Sequence, residues 1–381
     1  MTVDRELVNW VEERQEEMME LLRHFVHLDS PSFSKAQVDV LGAVLEKQLV
    51  SRGGTVRRYE QTDMGDHIVG SFSGTGSPIL LCGHFDTVYA PDTSETWPLA
   101  VENGRISGPG ALDMKAGIIM VLMAIQGLQE LGRARPALRV VFNSDEEPGS
   151  PTSRHFWPEW SKDVRAAFVF EPTTPDGCLV TSRKGVGVWT LSVRGRAAHA
   201  GVEPEKGASA IRQIAQHVES VESLACAERG TTINVGVIRG GSFPYVVPEH
   251  AEAVLDIRVP DLDEQARVEQ GLQELSSKPT IPGTETTLSG SFHRPPMEPL
   301  PGTESLIDLI RHAATSVGLE EPGFGRKGGA SDANNLVSLG IPTIDGMGPT
   351  GGGAHSPDEY LDLESFVKKT ALLAACLAAL A

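Results

Sequence analysis

Cysteine is scarce in this chain and poorly spaced. Its 381 residues carry four (Cys82, Cys178, Cys226 and Cys376), scattered and without a CxxC pair. That pattern opposes both a disulfide-stapled secreted scaffold and a thiolate zinc knuckle. Three of the four lie in apolar surroundings that suit buried free thiols, so the expected compartment is reducing and cytoplasmic. Positive charge is also short: Lys plus Arg number 33 against 51 Asp plus Glu, a net charge of −18. An acidic surface disfavours nucleic acid and anionic membranes as partners and leaves small molecules or other protein chains. No apolar run is read as long enough to span a membrane. The first residues, MTVDRELVNWVEERQEEMMELL, are acidic and amphipathic rather than basic then apolar, so they are not read as a signal peptide. Internal repeats and low-complexity linkers are missing as well.

What the chain does have is enough apolar residue, 40%, to fill sizeable cores, and a length that suggests two domains. One stretch organises the rest: SPILLCGHFDTV, from Ser77 to Val88. Ile79 to Cys82 read as a buried strand, and Gly83 lets the backbone turn so that His84 and Asp86 stand just past its carboxyl end, where open α/β sheets keep their ligands. Period-two alternation puts both on one side of an extended chain. A carboxylate beside an imidazole can fix the tautomer of a metal-binding histidine.

Helices are expected at about 4–28 and 35–51, and strands at His67–Phe72 and Ile79–Cys82 across the turn SGTGS. GPGALDMKAGIIMVLMAIQGLQELG then reads as a glycine-rich loop entering a helix that is apolar nearly all round and therefore buried. Asp113 would repel a phosphate there, so the loop is no nucleotide cradle. The strand ALRVVFNS ends in Asp145-Glu146-Glu147, and RAAFVF ends in Glu171. One acidic strand end is ordinarily a solvated turn; three apolar strands ending in His84/Asp86, Glu146/Glu147 and Glu171 argue for a shared site. From about Gly185 the texture becomes β-rich with helices near 205–224 and 262–276, which fits an inserted α+β sandwich. After Arg294 the α/β texture returns, and His355 lies in its last glycine-rich loop.

The expected fold class is therefore α/β: a mostly parallel central sheet formed by 1–184 and 294–381, interrupted by an α+β domain over 185–293. Two histidines and several carboxylates on strand ends and loops, with no thiolate, suit two zinc ions bridged by one carboxylate.

GHFDTV, GPGALDMKAG, SDEEPGSPTSR, FEPT, GRAAHAG, GGASDANN and AHSPDEY, in that order over nearly the whole chain, resemble the di-zinc peptidase and deacylase family of carboxypeptidase G, acetylornithine deacetylase and succinyl-diaminopimelate desuccinylase. The resemblance implies a zinc-peptidase-like catalytic domain whose inserted domain serves as lid and dimerisation module. It implies that His84 and Glu171 bind one Zn2+, that Glu147 and His355 bind the other, and that Asp113 bridges them; Co2+ or Mn2+ could substitute. Asp86 would orient His84, Glu146 would be the general base, and His199 would reach across a homodimer to the neighbouring site. A cis peptide is implied directly after Asp113.

Arg258, Arg294, Tyr245 and Asn234 are the substrate-binding candidates. Tyr245 departs from the family, whose members usually carry asparagine there, so strict glutamate specificity is not expected. The function implied is a zinc carboxypeptidase or amidase that releases a C-terminal amino acid from an N-acyl or peptidyl group. The alternative is an N-acyl-amino-acid deacylase, and the remote one a metal-free scaffold on the same fold. A glycosidase using paired carboxylates would have no use for His84 and His355.

Overall fold

The computed structural model describes residues 3–381, which divide into two compact units. One comprises residues up to Ser182 with Glu298–Lys327 and Ser331–Ala381; the other comprises Arg183–Met297 with Gly328–Ala330.

The first unit is built on a six-stranded sheet whose order is Thr55–Tyr59, His67–Phe72, Pro136–Asn143, Thr75–His84, Ala166–Val169, Thr343–Ile344. The last four strands run parallel; the first two are antiparallel. The mostly parallel α/β sheet expected from the sequence is therefore present. Two local expectations fail. The strand Thr55–Tyr59 is absent from the sequence reading, and the two strands joined by SGTGS, His67–Phe72 and Thr75–His84, do not pair, because Pro136–Asn143 inserts between them. Side chains buried on both faces, such as Ile79, Leu80, Leu81 and Val140, explain why the parallel strands are continuously apolar. Each fully buried Leu or Ile contributes roughly 1.5–3 kcal/mol by leaving water.

The first helical stretch breaks in two, Arg5–Glu12 and Gln15–His27, at Glu13 and Arg14. The apolar helix Ala116–Glu130 packs against the sheet and against the last helix, Leu363–Ala379. Residues Ala111–Glu130 are long and apolar enough to cross a membrane, contrary to the expectation that no run is, yet 94% of that window is buried inside the protein. Burial explains its all-round hydrophobicity. Gly117 lets this helix approach the strand end at Phe170: an added Cβ would lie 2.4 Å from the Phe170 carbonyl oxygen.

The second unit is an antiparallel sheet ordered Thr232–Gly240, His250–Val259, Gly185–Arg194, Glu285–Arg294. Ala251, Ala253, Leu255, Ile257 and Val259 alternate inward and form one core with residues of the helices Ala210–Glu222 and Leu262–Ser277. The strand Glu285–Arg294 was missed by the sequence reading, because Leu288 is the one aliphatic side chain in its TTLSGS stretch. All four cysteines are free; Cys82 and Cys376 are buried.

Candidate active site

Parallel pairing brings three strand ends side by side in the first unit. His84 stands opposite Asn143, and Cys82 opposite Val169, so the residues that follow each strand emerge at one sheet edge. His84 Nε2 lies 3.1 Å from Asp113 Oδ1 and 3.6 Å from Glu171 Oε1. His355 Nε2 lies 3.2 Å from Asp113 Oδ2 and 3.1 Å from Glu147 Oε2. The two oxygens of Asp113 thus face two different histidines, each accompanied by a further carboxylate. Two donor groups, His84 with Glu146 and Glu171, and His84 with Asp113 and Glu147, have atoms within 4.8 Å of one another, a spacing that could hold metal ions.

Asp113 is placed by the loop entering the buried helix, where Gly110 takes a left-handed φ of 69° and an added Cβ would lie 2.5 Å from Thr87. The Asp113–Met114 peptide is cis. His355 sits at a φ of 63°, costly for a residue with a Cβ, within the turn closed by the Ser356 N–H donating to the Gly353 carbonyl at 3.0 Å.

Asp86 approaches His84 with both its backbone and its side chain. The Nδ1 of His84 is 3.0 Å from the Asp86 backbone carbonyl, whereas the Asp86 carboxylate stands 3.4 Å from it. That carboxylate, fully buried, also accepts from the Glu146 N–H at 3.1 Å, the Glu147 N–H at 3.2 Å and the Ser32 hydroxyl at 2.7 Å. It therefore pins the turn that carries both glutamates. The first acid of that run, Asp145, turns away and caps the next segment, accepting from the Thr152 and Ser153 N–H groups.

Glu359 was missed. It is fully buried and accepts from the backbone N–H groups of Gly110, Leu112 and Asp113 at 3.3, 2.7 and 3.1 Å, and from the Tyr89 hydroxyl at 2.5 Å. Burial pushes its carboxyl up to about 7. The AHSPDEY motif was the available signal, but its acid lies 246 residues from Asp113 in the chain.

The electrostatics fit a site for cations. Burial disfavours charge on His84, yet hydrogen bonds to Asp113 and Asp86 hold its pKa well above the usual range. Asp113 and Glu147 raise His355 to about 11. Burial raises Glu147 to about 7, while the two histidines keep Asp113 below the ordinary carboxylate range despite its own burial. Clustered buried carboxylates need compensating positive charge, which the histidines supply as imidazolium and divalent ions would supply more strongly. Imidazole and carboxylate without thiolate is a borderline-to-hard donor set. His84 is 1% exposed and His355 53%, so the cluster opens to solvent on the His355 side.

The remaining candidates lie in the second unit. His199 is exposed; its backbone bridges to Val246, and its Nδ1 accepts from the Gly201 N–H at 3.2 Å. Tyr245, 58% exposed, stacks on Phe243 with centroids 5.4 Å apart, and its carbonyl accepts from the Ala200 N–H. Asn234 is exposed on an edge strand opposite Asp256, to which the Arg258 guanidinium is bonded at 3.0 Å. Arg294 is buried.

Residues 80–379 match the family described as Peptidase family M20/M25/M40. Carboxypeptidase G2 of Pseudomonas sp. is 28% identical over 96% of this chain and 90% of its own length. Acetylornithine deacetylase of Myxococcus xanthus is 26% identical over 94% and 96%. Among solved structures, aminopeptidase PepT of Bacillus cereus superposes with a TM-score of 0.79 at 22% identity, covering 96% of this chain and 98% of that one, which establishes the shared fold. With a family match over most of its length, relatives aligned end to end and a carboxylate-histidine cluster at the expected sheet edge, the chain belongs to peptidase family M20/M25/M40 and is a metallohydrolase acting on peptide or amide bonds.

Proposed function

We propose that the protein is a di-zinc amide hydrolase that releases a C-terminal amino acid from an N-acyl or peptidyl group. The observation that carries this reading is Asp113, whose two oxygens face His84 and His355 at 3.1 and 3.2 Å. His84 with Glu171, and His355 with Glu147, would each hold one divalent ion, with Asp113 shared between them. The donor set favours zinc, with cobalt or manganese as substitutes. Such ions, when bound, polarise a carbonyl and lower the pKa of water.

Glu146 then takes a proton from the attacking water and delivers it to the amine as the C–N bond breaks. Asp86 holds that glutamate's backbone, so a base next to a ligand is oriented rather than mobile. Arg258 and Arg294 take the carboxylate of the released amino acid, which a planar guanidinium suits, and Asn234 and Tyr245 are the further substrate contacts. His199 stabilises the developing oxyanion of the partner chain in a homodimer formed through the inserted unit. Four unpaired cysteines support a cytoplasmic setting. Similarity to acetylornithine deacetylase keeps a second reading, deacylation of N-acyl amino acids, which shares the chemistry and differs in substrate.

The test is metal-stripped protein, reloaded with zinc and screened against N-acyl amino acids and dipeptides with varied C-terminal side chains. We expect about two zinc ions per chain and turnover only after reloading. Undiminished turnover by the stripped protein, or none of any amide by the loaded one, overturns the reading.

A further inference from the structure

A cavity of about 400 Å³ opens beside the cluster, and Glu147 forms part of its wall. The rest comes from two loops, 31–34 and 87–91, and from Pro148. These loops are fastened to each other and to the site. The Ser32 N–H donates to the Thr87 carbonyl at 3.1 Å, the Thr87 N–H to the Ser30 carbonyl at 2.8 Å, and the Ser32 and Tyr89 hydroxyls to Asp86 and Glu359. The cavity is thus preformed and lies within the volume range of small-molecule sites. Its lining is mostly apolar: Phe33, Val88 and Pro91 face it, and Phe33 and Val88 remain 80% and 46% exposed. Apolar side chains this open on a fixed wall gain from an apolar occupant.

We propose that this cavity receives the acyl side of the substrate and selects an uncharged, largely apolar acyl group, aromatic or branched. The inference rests on the amide-hydrolase reading above. A substrate of that class has two ends, the carboxylate-bearing amino acid and the acyl group. Among the described residues no Lys, Arg or His lines the cavity, and the charged wall residue is Glu147. The carboxylate end finds no Lys, Arg or His to pair with in this wall and would lose its hydration on entering, whereas an apolar acyl group loses nothing. Glu147 belongs both to this wall and to the donor cluster, so the cavity adjoins the site. The second carboxylate of a dicarboxylic acyl group such as succinyl would be stripped of water against that apolar wall, so such groups are disfavoured.

The test uses zinc-loaded enzyme and N-benzoyl, N-acetyl and N-succinyl derivatives of one amino acid, with the corresponding free dipeptide. We expect kcat/KM for benzoyl to exceed acetyl by about tenfold or more, the size expected of a filled apolar pocket, with succinyl lowest. Phe33→Glu and Val88→Glu, both at open positions, should reduce the benzoyl advantage to within about twofold while acetyl turnover falls little. Hydrolysis without acyl preference, or equal losses on benzoyl and acetyl substrates, overturns the pocket and leaves the amide-hydrolase reading standing. Binding of benzamide, followed by saturation-transfer NMR, gives a second readout. A signal in wild type that Phe33→Glu removes upholds the pocket even if no amide is turned over. No signal in wild type, or an equal one in the variant, overturns it.

Discussion

The two units of this protein treat polar groups in opposite ways. In the first, parallel strands buried on both faces end in acids and histidines that are themselves buried: Asp86, His84 and Glu359 are 0%, 1% and 0% exposed. In the second, an antiparallel sheet covers one face with helices, and of its candidate residues His199, Tyr245 and Asn234 stay exposed while Arg294 is buried. Burying charge is tolerated only where every group is matched, so the first unit is a preformed site whose members depend on one another. Exposed residues on a half-covered sheet cost little to keep and can be altered singly. The chemistry should therefore fail collectively in the first unit and piecemeal in the second.

The largest effect should come from Glu146→Gln, with kcat falling about 10³-fold or more while metal content is unchanged, because this residue moves protons and holds no metal in our reading. His84→Ala should lose both metal and activity. A Glu146→Gln protein that loses metal would turn the base into a ligand, and the donor spacing makes that outcome measurable.

His199→Ala should cost about 10²-fold in kcat with the metals retained, since a single oxyanion donor contributes on that scale. Mixing it with the Glu146 variant sharpens the contrast between the units. If His199 acts in trans, random exchange restores about a quarter of wild-type activity, since half the pairs are mixed and each has one intact site. Demonstrated exchange without recovery would refute the trans arrangement.

Glu359→Gln should act through the first unit's interdependence. It turns an amide N–H2 toward one of the loop's N–H groups and leaves that donor unsatisfied, a loss of about 1–3 kcal/mol visible as a lower melting temperature. If thermal stability is unchanged, Glu359 does not hold the Asp113 loop.

The smallest effect concerns protons. In the metal-free protein His84 is held well above the usual range and His355 at about 11, so both are protonated at pH 7. A metal-binding imidazole must be neutral, so loading should release about two protons, plus a fraction from Glu147, raised to about 7 by burial. Affinity should accordingly rise with pH. Calorimetry in buffers of different ionisation enthalpy counts the protons, and uptake instead of release would contradict the charge assignment.

Much of the first unit was legible because its signals are local. An apolar run ending in GHFD, another ending in SDEE and a third ending in FEP announce strand ends, and the same pattern in all of them announces a shared edge. What was illegible is long-range. Nothing near Asp86 says that its carboxylate will accept the N–H groups of Glu146 and Glu147, some 60 residues on, besides approaching His84. Thr55–Tyr59 was overlooked because three of its five residues are polar, and it gains strand character only by pairing with His67–Phe72.

By itself the sequence determined the chemical types: imidazole and carboxylate donors without thiolate, an acidic surface, a parallel α/β sheet and the motifs that mark the family. These follow from composition and from periodicity over a few residues, which the chain carries wherever it goes. Only the tertiary structure decided that both oxygens of Asp113 face histidines drawn from opposite ends of the chain, that Glu359 holds the loop beneath them, and that an apolar cavity without a cation adjoins Glu147. Those outcomes depend on strand order and on which buried polar groups find partners, and both are settled by packing across hundreds of residues rather than by any local pattern.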